Sequence, residues 1–328
     1  LKNYPAGVIT RALLVLFSGI GLCLGQTGTD KLANSREHAR QKTCLSIAKV
    51  VHEKGERKET ACGFFIDGKG TLATVLGMAG EPGKLSVVYG EREFSPKLLT
   101  YDKYTRLALL KIDGIEAPAV KMGRSAGLEV GDYVFAVNLS KENGKDCVTG
   151  RIAGREKDFM GRTLAASLIR LNLMAGPESF GAPLVSTGGS VLGVVLEGMN
   201  DEKVNFCYAL PAELIQKVQR DFDRHGKVSD CWIGFGMEAG TTTPEIRQLT
   251  PDSPAEKSGL KEGDIIQAIG DRKVRDYQDV VDACYYLTHG DEVVFKVLRG
   301  LEDVNLRLTP AEKPVQIPVE DSEDSEGE

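Results

Sequence analysis

Apolar residues recur in this chain in two distinct patterns. From Cys62 onward they come as short β-type runs punctuated by glycine turns: "CGFFIDGKGTLATVLGM" reads as strand, turn at Asp67–Gly70, strand. "RLALLKID", "DYVFAVNL", "TLAASLIRLNL", "PLVSTGGSVLGVVLEG" and "VNFCYALP" continue the series. Many short strands at regular spacing predict a mostly β barrel or sandwich. "AELIQKVQRDFDRHG" breaks this rhythm, because Leu214, Ile215, Val218 and Phe222 fall at helical spacing and Gly226 follows. That pattern predicts one amphipathic helix closing a domain over residues 60–226.

A second, α+β unit is expected over 227–312, with a strand in "CWIGFGM", a helix from Tyr277 to Leu287 and a final strand pair, "DEVVFKVLRG" and "EDVNLRLTP". Tyr277, Val280, Cys284 and Leu287 form the core stripe of that helix, which leaves Val281 and Tyr285 one position round. Upstream, residues 26–59 are charged and mixed, a lead-in with a first strand near Leu45–Val51.

The ends of the chain differ in character from this body. Lys2 and Arg11 precede an apolar run from Ala12 to Leu24, too short for a membrane span, with Gly25 offering a cleavage point. Residues 1–25 are therefore expected to be a signal peptide, leaving no membrane span after cleavage and a secreted or periplasmic product. Residues 313–328 read as a disordered acidic tail. Six of the 47 acids lie within Glu320–Glu328, and without them 41 acids face 41 bases. A neutral body has no basic footprint for nucleic acid.

Beyond Cys23 the cysteines are Cys44, Cys62, Cys147, Cys207, Cys231 and Cys284. An oxidising compartment would permit bridges, but six cysteines allow fifteen pairings, and mostly buried free thiols with one or two bridges at most is the favoured reading. No two stand at CxxC spacing, so neither a metal site nor a cofactor is expected. Asn138-Leu139-Ser140 is a glycosylation sequon that matters only in a eukaryotic source.

Several segments together resemble the HtrA family, trypsin-like serine proteases followed by a PDZ domain. "GFFIDGKGTLAT" is similar to the family's "GSGFIID-x-x-G-x-I-L-T" hairpin, and "YDKYTRLALLKID" to "D-x-x-T-D-L-A-(L/V)-L-K-I". "VTGRIAGR", "GAPLVSTGGSVLGVV" and "VNFCYALPAELIQKV" follow in the family's order, and "PDSPAEKSGLKEGDIIQAIGDRKV" resembles its PDZ core. The resemblance covers about 250 residues, from roughly Thr60 to Thr309, and implies a trypsin-like double β-barrel of two six-stranded halves.

The match fails at the residues that carry the family's chemistry. The histidine three positions after the threonine of "L-T-N-x-H" falls on Gly77, the aspartate before "LALL" on Arg106, and the serine of "P-G-N-S-G-G-P-L" on Phe180. A serine hydroxyl needs a base within hydrogen-bond reach, and the base needs a third group to orient it. Gly77 accepts no proton, Arg106 is never an anion and Phe180 has no nucleophilic atom. Ser179 stands one residue away and should leave the turn in another direction. Glu178 replaces the first glycine of that loop, where the oxyanion hole needs an inward N–H. Phe180 either fills a vacated cleft or forms part of one remodelled for peptide.

PDZ domains bind extended C-termini as an added strand whose carboxylate meets loop N–H groups. The resemblance places that loop at Trp232, Ile233, Gly234 and Phe235, with Val281 and Tyr285 on the opposite wall; packing alone is the other reading of Trp232 and Phe235. The expected function is a non-catalytic HtrA-like homologue that binds exposed peptides or protein C-termini as scaffold, adaptor or chaperone in protein quality control. The alternatives are an active serine endopeptidase with an unorthodox catalytic set, and a regulatory subunit of active HtrA-like relatives. The family's trimers form through an aromatic-bearing N-terminal segment, and residues 29–56 contain no Phe, Tyr or Trp.

Overall fold

A computed structural model describes residues 28–314, apart from 78–82, 141–143, 160–161, 177–178, 197–198 and 202–203. The expected signal segment, the acidic tail beyond residue 314, and Glu178 lie outside the described residues. The chain begins with a helix, Gly28–Thr43, which packs on the second sheet.

The first sheet contains β1 (Ile47–Lys54), β2 (Arg57–Phe65), β3 (Thr71–Val75), β4 (Lys84–Tyr89), β5 (Arg92–Phe94), β6 (Lys97–Tyr101) and β7 (Leu107–Lys111). Its order is β5-β4-β1-β2-β3-β7-β6. β1 lies within the stretch expected as lead-in, yet pairs with both β2 and β4 near the sheet's middle. The barrel thus starts at Ile47 rather than near residue 60. In the β2–β3 hairpin the Asp67 Oδ1 accepts from the N–H groups of Lys69 and Thr71, a side-chain-closed turn of the kind aspartate favours.

The second sheet contains β8 (Tyr133–Ser140), β9 (Gly144–Phe159), β10 (Arg162–Asn172), β11 (Pro183–Ser186), β12 (Val191–Val195), β13 (Met199–Asp201) and β14 (Val204–Pro211). Pairing of β10 with β14 closes six of these into a barrel and leaves β13 as an extra strand on β14. The expectation of two six-stranded halves is corrected to two seven-stranded sheets, because short hairpin extensions (β5 and β13) add a strand to each. One apolar cluster runs through both sheets, from Ile47, Phe64 and Leu107 to Val137 and Leu184. The two halves therefore bury one surface against each other.

The helix Ala212–His225 closes this unit and ends at Gly226, whose φ of 70° lets its N–H reach the Phe222 carbonyl. Its buried face holds Leu214, Ile215 and Val218, and also the charged Lys217 and Asp221.

The last unit contains β15 (Cys231–Trp232), β16 (Phe235–Gly236), β17 (Gln248–Leu249), β18 (Ile265–Ile269), β19 (Arg272–Lys273), β20 (Val293–Arg299), β21 (Glu302–Leu308) and β22 (Ala311–Glu312). A one-turn helix, Pro254–Lys257, and a helix Tyr277–Tyr285 pack on these strands around Ile246, Leu260, Phe295 and Val297. The second helix ends two residues before Leu287. Asp276 caps its start by accepting from the Asp279 N–H. Of the expected core stripe, Val280 is buried and Cys284 and Leu287 pack against the core, joined by Ala283; Tyr277 instead turns toward a groove.

This helix docks on β10. The Ser167 N–H donates to Asp282 Oδ1 at 2.6 Å, Lys157 pairs with Asp279 at 2.6 Å, and Arg220 donates to the Tyr286 carbonyl. Three interactions of this kind, with Tyr285 and Tyr286 packed on the barrel core, fix the groove helix to the barrel.

Candidate functional site

Gly77, Arg106 and Phe180 come together on the walls of one cavity of ≈580 Å³ between the two sheets. Gly77 follows β3, and its N–H donates to Glu59 Oε1 at 2.6 Å. Arg106 sits in the turn before β7 at a φ of 62°, a region that costs a non-glycine residue energy. Backbone bonds hold it there: its N–H donates to the Asp102 carbonyl, and its own carbonyl accepts from Leu76. A side chain at Gly77 would place its Cβ 3.3 Å from Glu59 Oε1 and 3.9 Å from Arg106 Nη1. The space beside Gly77 therefore adjoins a carboxylate and a guanidinium.

Phe180 is half-buried, and its carbonyl accepts from the Cys62 N–H at 2.6 Å. The next residue, Gly181, has a φ of 78°, and a Cβ there would stand 2.0 Å from the Cys62 carbonyl oxygen. Only glycine fits so close a backbone crossing. Ser179 points away from the cavity. It is fully buried, and its Oγ accepts from Asn138 Nδ2 at 2.7 Å. Asn138 is itself buried within β8, so the sequon is closed to modification in the folded chain.

None of the four histidines lines this cavity. His38 is exposed on the first helix and His52 is buried in β1. His225 and His289 stack on each other with ring centroids 3.6 Å apart. All six described cysteines are free. Burial pushes the thiols of Cys62, Cys147, Cys207 and Cys284 up to about 12, so they stay protonated at neutral pH.

The second site is a groove of ≈570 Å³ between β16 and the helix Tyr277–Tyr285, and all six predicted residues line it: Trp232, Ile233, Gly234, Phe235, Val281 and Tyr285. The two readings of the aromatic and apolar positions are not exclusive. Ile233 is buried in the domain core, and the Phe235 ring meets Phe295 edge-on at 6.3 Å, while both border the groove. Gly234 has a φ of 88°, and its carbonyl accepts from Thr250. β16 pairs only with β17 among the described residues. Phe235 opposes Leu249 while the Thr250 N–H bonds the Gly234 carbonyl, which turns the N–H and C=O of Phe235 toward the groove edge.

The groove is not bounded by its own domain alone. Tyr104, Ala165 and Lys217 of the barrel unit also line it, and Tyr104 and Ala165 face the inter-sheet cavity as well. The Tyr285 hydroxyl donates to Asp102 Oδ2. Burial, then the Asp102 carboxylate, push this phenol well above its ordinary value, which keeps it a donor. Sequence reasoning placed Tyr285 on the groove wall but missed its partner and missed Lys217. The available signal was Lys217 and Asp221 at i,i+4 on an otherwise apolar helix face.

The profile of the trypsin-like peptidase domain matches residues 61–194, and that of the PDZ domain matches 231–309. A probable periplasmic serine endoprotease DegP-like of Pseudomonas putida (strain W619) is 26% identical over 283 residues, 80% of this chain and 58% of that protein. Its namesake from Marinomonas sp. (strain MWYL1) is 27% identical over 282 residues, 80% of this chain and 59% of that protein. The chain thus spans less than two thirds of the length of these curated relatives. Among solved structures, the HtrA-type protease AlgW with tripeptide superposes with a TM-score of 0.65 at 22% identity, covering 85% of this chain and 97% of that one. The serine endoprotease from Yersinia pestis gives 0.58 at 20%, covering 85% and 98%. These likenesses establish the fold. With a match to the trypsin-like peptidase domain running into one to the PDZ domain, and DegP-like relatives along four fifths of its length, the chain has the domain order of the HtrA-like proteases and is similar to them.

Proposed function

We propose that this protein is a non-catalytic HtrA-like homologue that binds exposed peptides or protein C-termini in its PDZ groove outside the cytoplasm, as scaffold, adaptor or chaperone. The observation that carries the reading is the content of the inter-sheet cavity. Gly77, Arg106 and Phe180 stand on its walls, and these are the positions that the family resemblance aligns with base, orienting acid and nucleophile. Its remaining hydroxyls offer no substitute: Thr105 already donates to Asp102 and Tyr104 to Asp230, and no histidine lines the cavity to activate Thr60. Ser179 lacks both a base and access, and the buried thiols lack a thiolate. The extracytoplasmic placement rests on relatives named periplasmic.

A fluorophosphonate probe is expected to leave Ser179 unlabelled, and casein to remain intact during prolonged incubation. Labelling that vanishes in a Ser179→Ala variant would return the protein to the active endopeptidases. For the groove, the full chain is expected to bind a peptide with an apolar last residue and a free carboxylate in the micromolar range, about −8 kcal/mol. Amidation of that terminus should weaken binding about tenfold, the scale of a charge-assisted hydrogen bond. Titration by fluorescence anisotropy reads both numbers; equal affinity for acid and amide would sink the carboxylate cradle.

A further inference from the structure

We infer that Lys217, a residue of the barrel's closing helix, forms part of the PDZ groove and pairs with the carboxylate of the bound C-terminus. The inference deepens the peptide-binding reading above and rests on it. Lys217 is 2% exposed, yet it lines the groove cavity. Among the described residues its ammonium has one acceptor, Asp221 Oδ2 at 2.8 Å, and it lies 5.1 Å from the centre of the Tyr285 ring. An ammonium carries three N–H donors, so two remain for an anion that enters.

The position along the groove is the one a C-terminal carboxylate needs. The Cys231 thiol donates to the Leu287 carbonyl at 3.1 Å, which joins the start of the Trp232–Gly234 loop to the end of the groove helix. Tyr285 belongs to the last turn of that helix, and Lys217 sits over its ring. The cation and the loop N–H groups therefore share one end of the cavity. The other charged residues lining it are Lys313, which is exposed, and Asp230, already bonded to Lys103 at 3.3 Å. A buried charge acts through a lower effective dielectric than an exposed one, so of the two lysines lining the cavity Lys217 is the one least screened by water.

Asp221 holds this cation in place without consuming it. Its carboxylate also accepts from Thr288 Oγ1 at 2.6 Å and from the Ser229 N–H at 3.3 Å. These two further donors, both from the 227–312 unit, share its charge with Lys217. A peptide carboxylate in the loop would be the second anion on the ammonium, and recognition would require the docked arrangement of barrel and PDZ domain.

The test compares acid and amide forms of one apolar-ended peptide on the full chain, by anisotropy, for wild type, Lys217→Met and Lys217→Met with Asp221→Leu. The double variant removes both buried charges together, which proteins commonly tolerate, and keeps the test valid if the single variant misfolds. Expected is a loss of about tenfold for the acid peptide and none for the amide, in whichever variant folds. An acid-to-amide ratio equal to wild type in a folded variant overturns the role of Lys217 while the groove reading stands. Equal binding of acid and amide by wild type overturns carboxylate recognition altogether. Absence of binding by either peptide overturns the groove reading, and this inference with it.

Discussion

Asp221→Ala is expected to cost about 3–5 kcal/mol of unfolding free energy, the usual loss when one partner of a buried ion pair is removed. The Asp221 side chain is fully buried and accepts from Lys217, Thr288 and Ser229. Alanine would strand the Lys217 ammonium, 3% exposed at its side chain, in a site that hydrates it poorly. It would also leave the buried Thr288 hydroxyl without its acceptor, although its oxygen still accepts from Arg220 Nε at 3.1 Å. Urea denaturation of the full chain checks this by the shift of its midpoint. Removing both charges, with Lys217→Met and Asp221→Leu, should recover most of the loss, because the desolvation cost goes with them. A midpoint for Asp221→Ala within error of wild type would show that the pair contributes nothing at that position.

The second large effect concerns Gly234→Val, which should reduce peptide affinity at least a hundredfold. The backbone there has a φ of 88°, where a β-branched residue is strongly disfavoured. A Cβ would also stand 2.2 Å from the Ser253 Cβ and 3.2 Å from Trp232 Cζ2. Ser253 cannot yield easily, because its hydroxyl caps the one-turn helix by accepting from the Glu256 N–H. The loop must rotate instead, and its N–H groups then leave the groove. Anisotropy titration with the free-acid peptide reads the loss, and urea denaturation separates it from unfolding. Retained micromolar binding by a folded Gly234→Val chain would show that this loop does not hold the ligand.

Much of the candidate site could be read before the fold was known, for a physical reason. Motifs such as "GFFIDGKGTLAT" and "GAPLVS" place residues by short backbone spacings that the strands preserve. Gly77, Arg106 and Phe180 could be aligned because β3, β7 and the turn before β11 keep those spacings, and all three reached one cavity. The loop at Trp232–Phe235 was legible for the same reason. What failed was reading a face from periodicity alone. On the groove helix the expected stripe contained Tyr277, whereas the buried positions are Val280 and Ala283. A small residue such as Ala283 gives little apolar signal, yet it is buried in the core.

By itself the sequence determined the strand rhythm, the closing helix with its glycine stop and the order of the two domains, and it singled out Gly77, Arg106 and Phe180, which line one cavity. These rest on neighbours a few residues apart, where side-chain period and turn chemistry act directly. Only the tertiary structure decided that Ser179 turns inward to Asn138, that the six described cysteines stay apart, and that β5 and β13 lengthen each sheet. It also decided that Asp102 meets Tyr285 across 183 positions, and that Lys217 of one domain reaches the groove of the other. Such contacts are set by how two preformed surfaces dock, and the free energy of docking is shared among many residues. No local pattern carries it: a lysine four residues before an aspartate on a helix reads as a solvated ion pair until a second domain covers it.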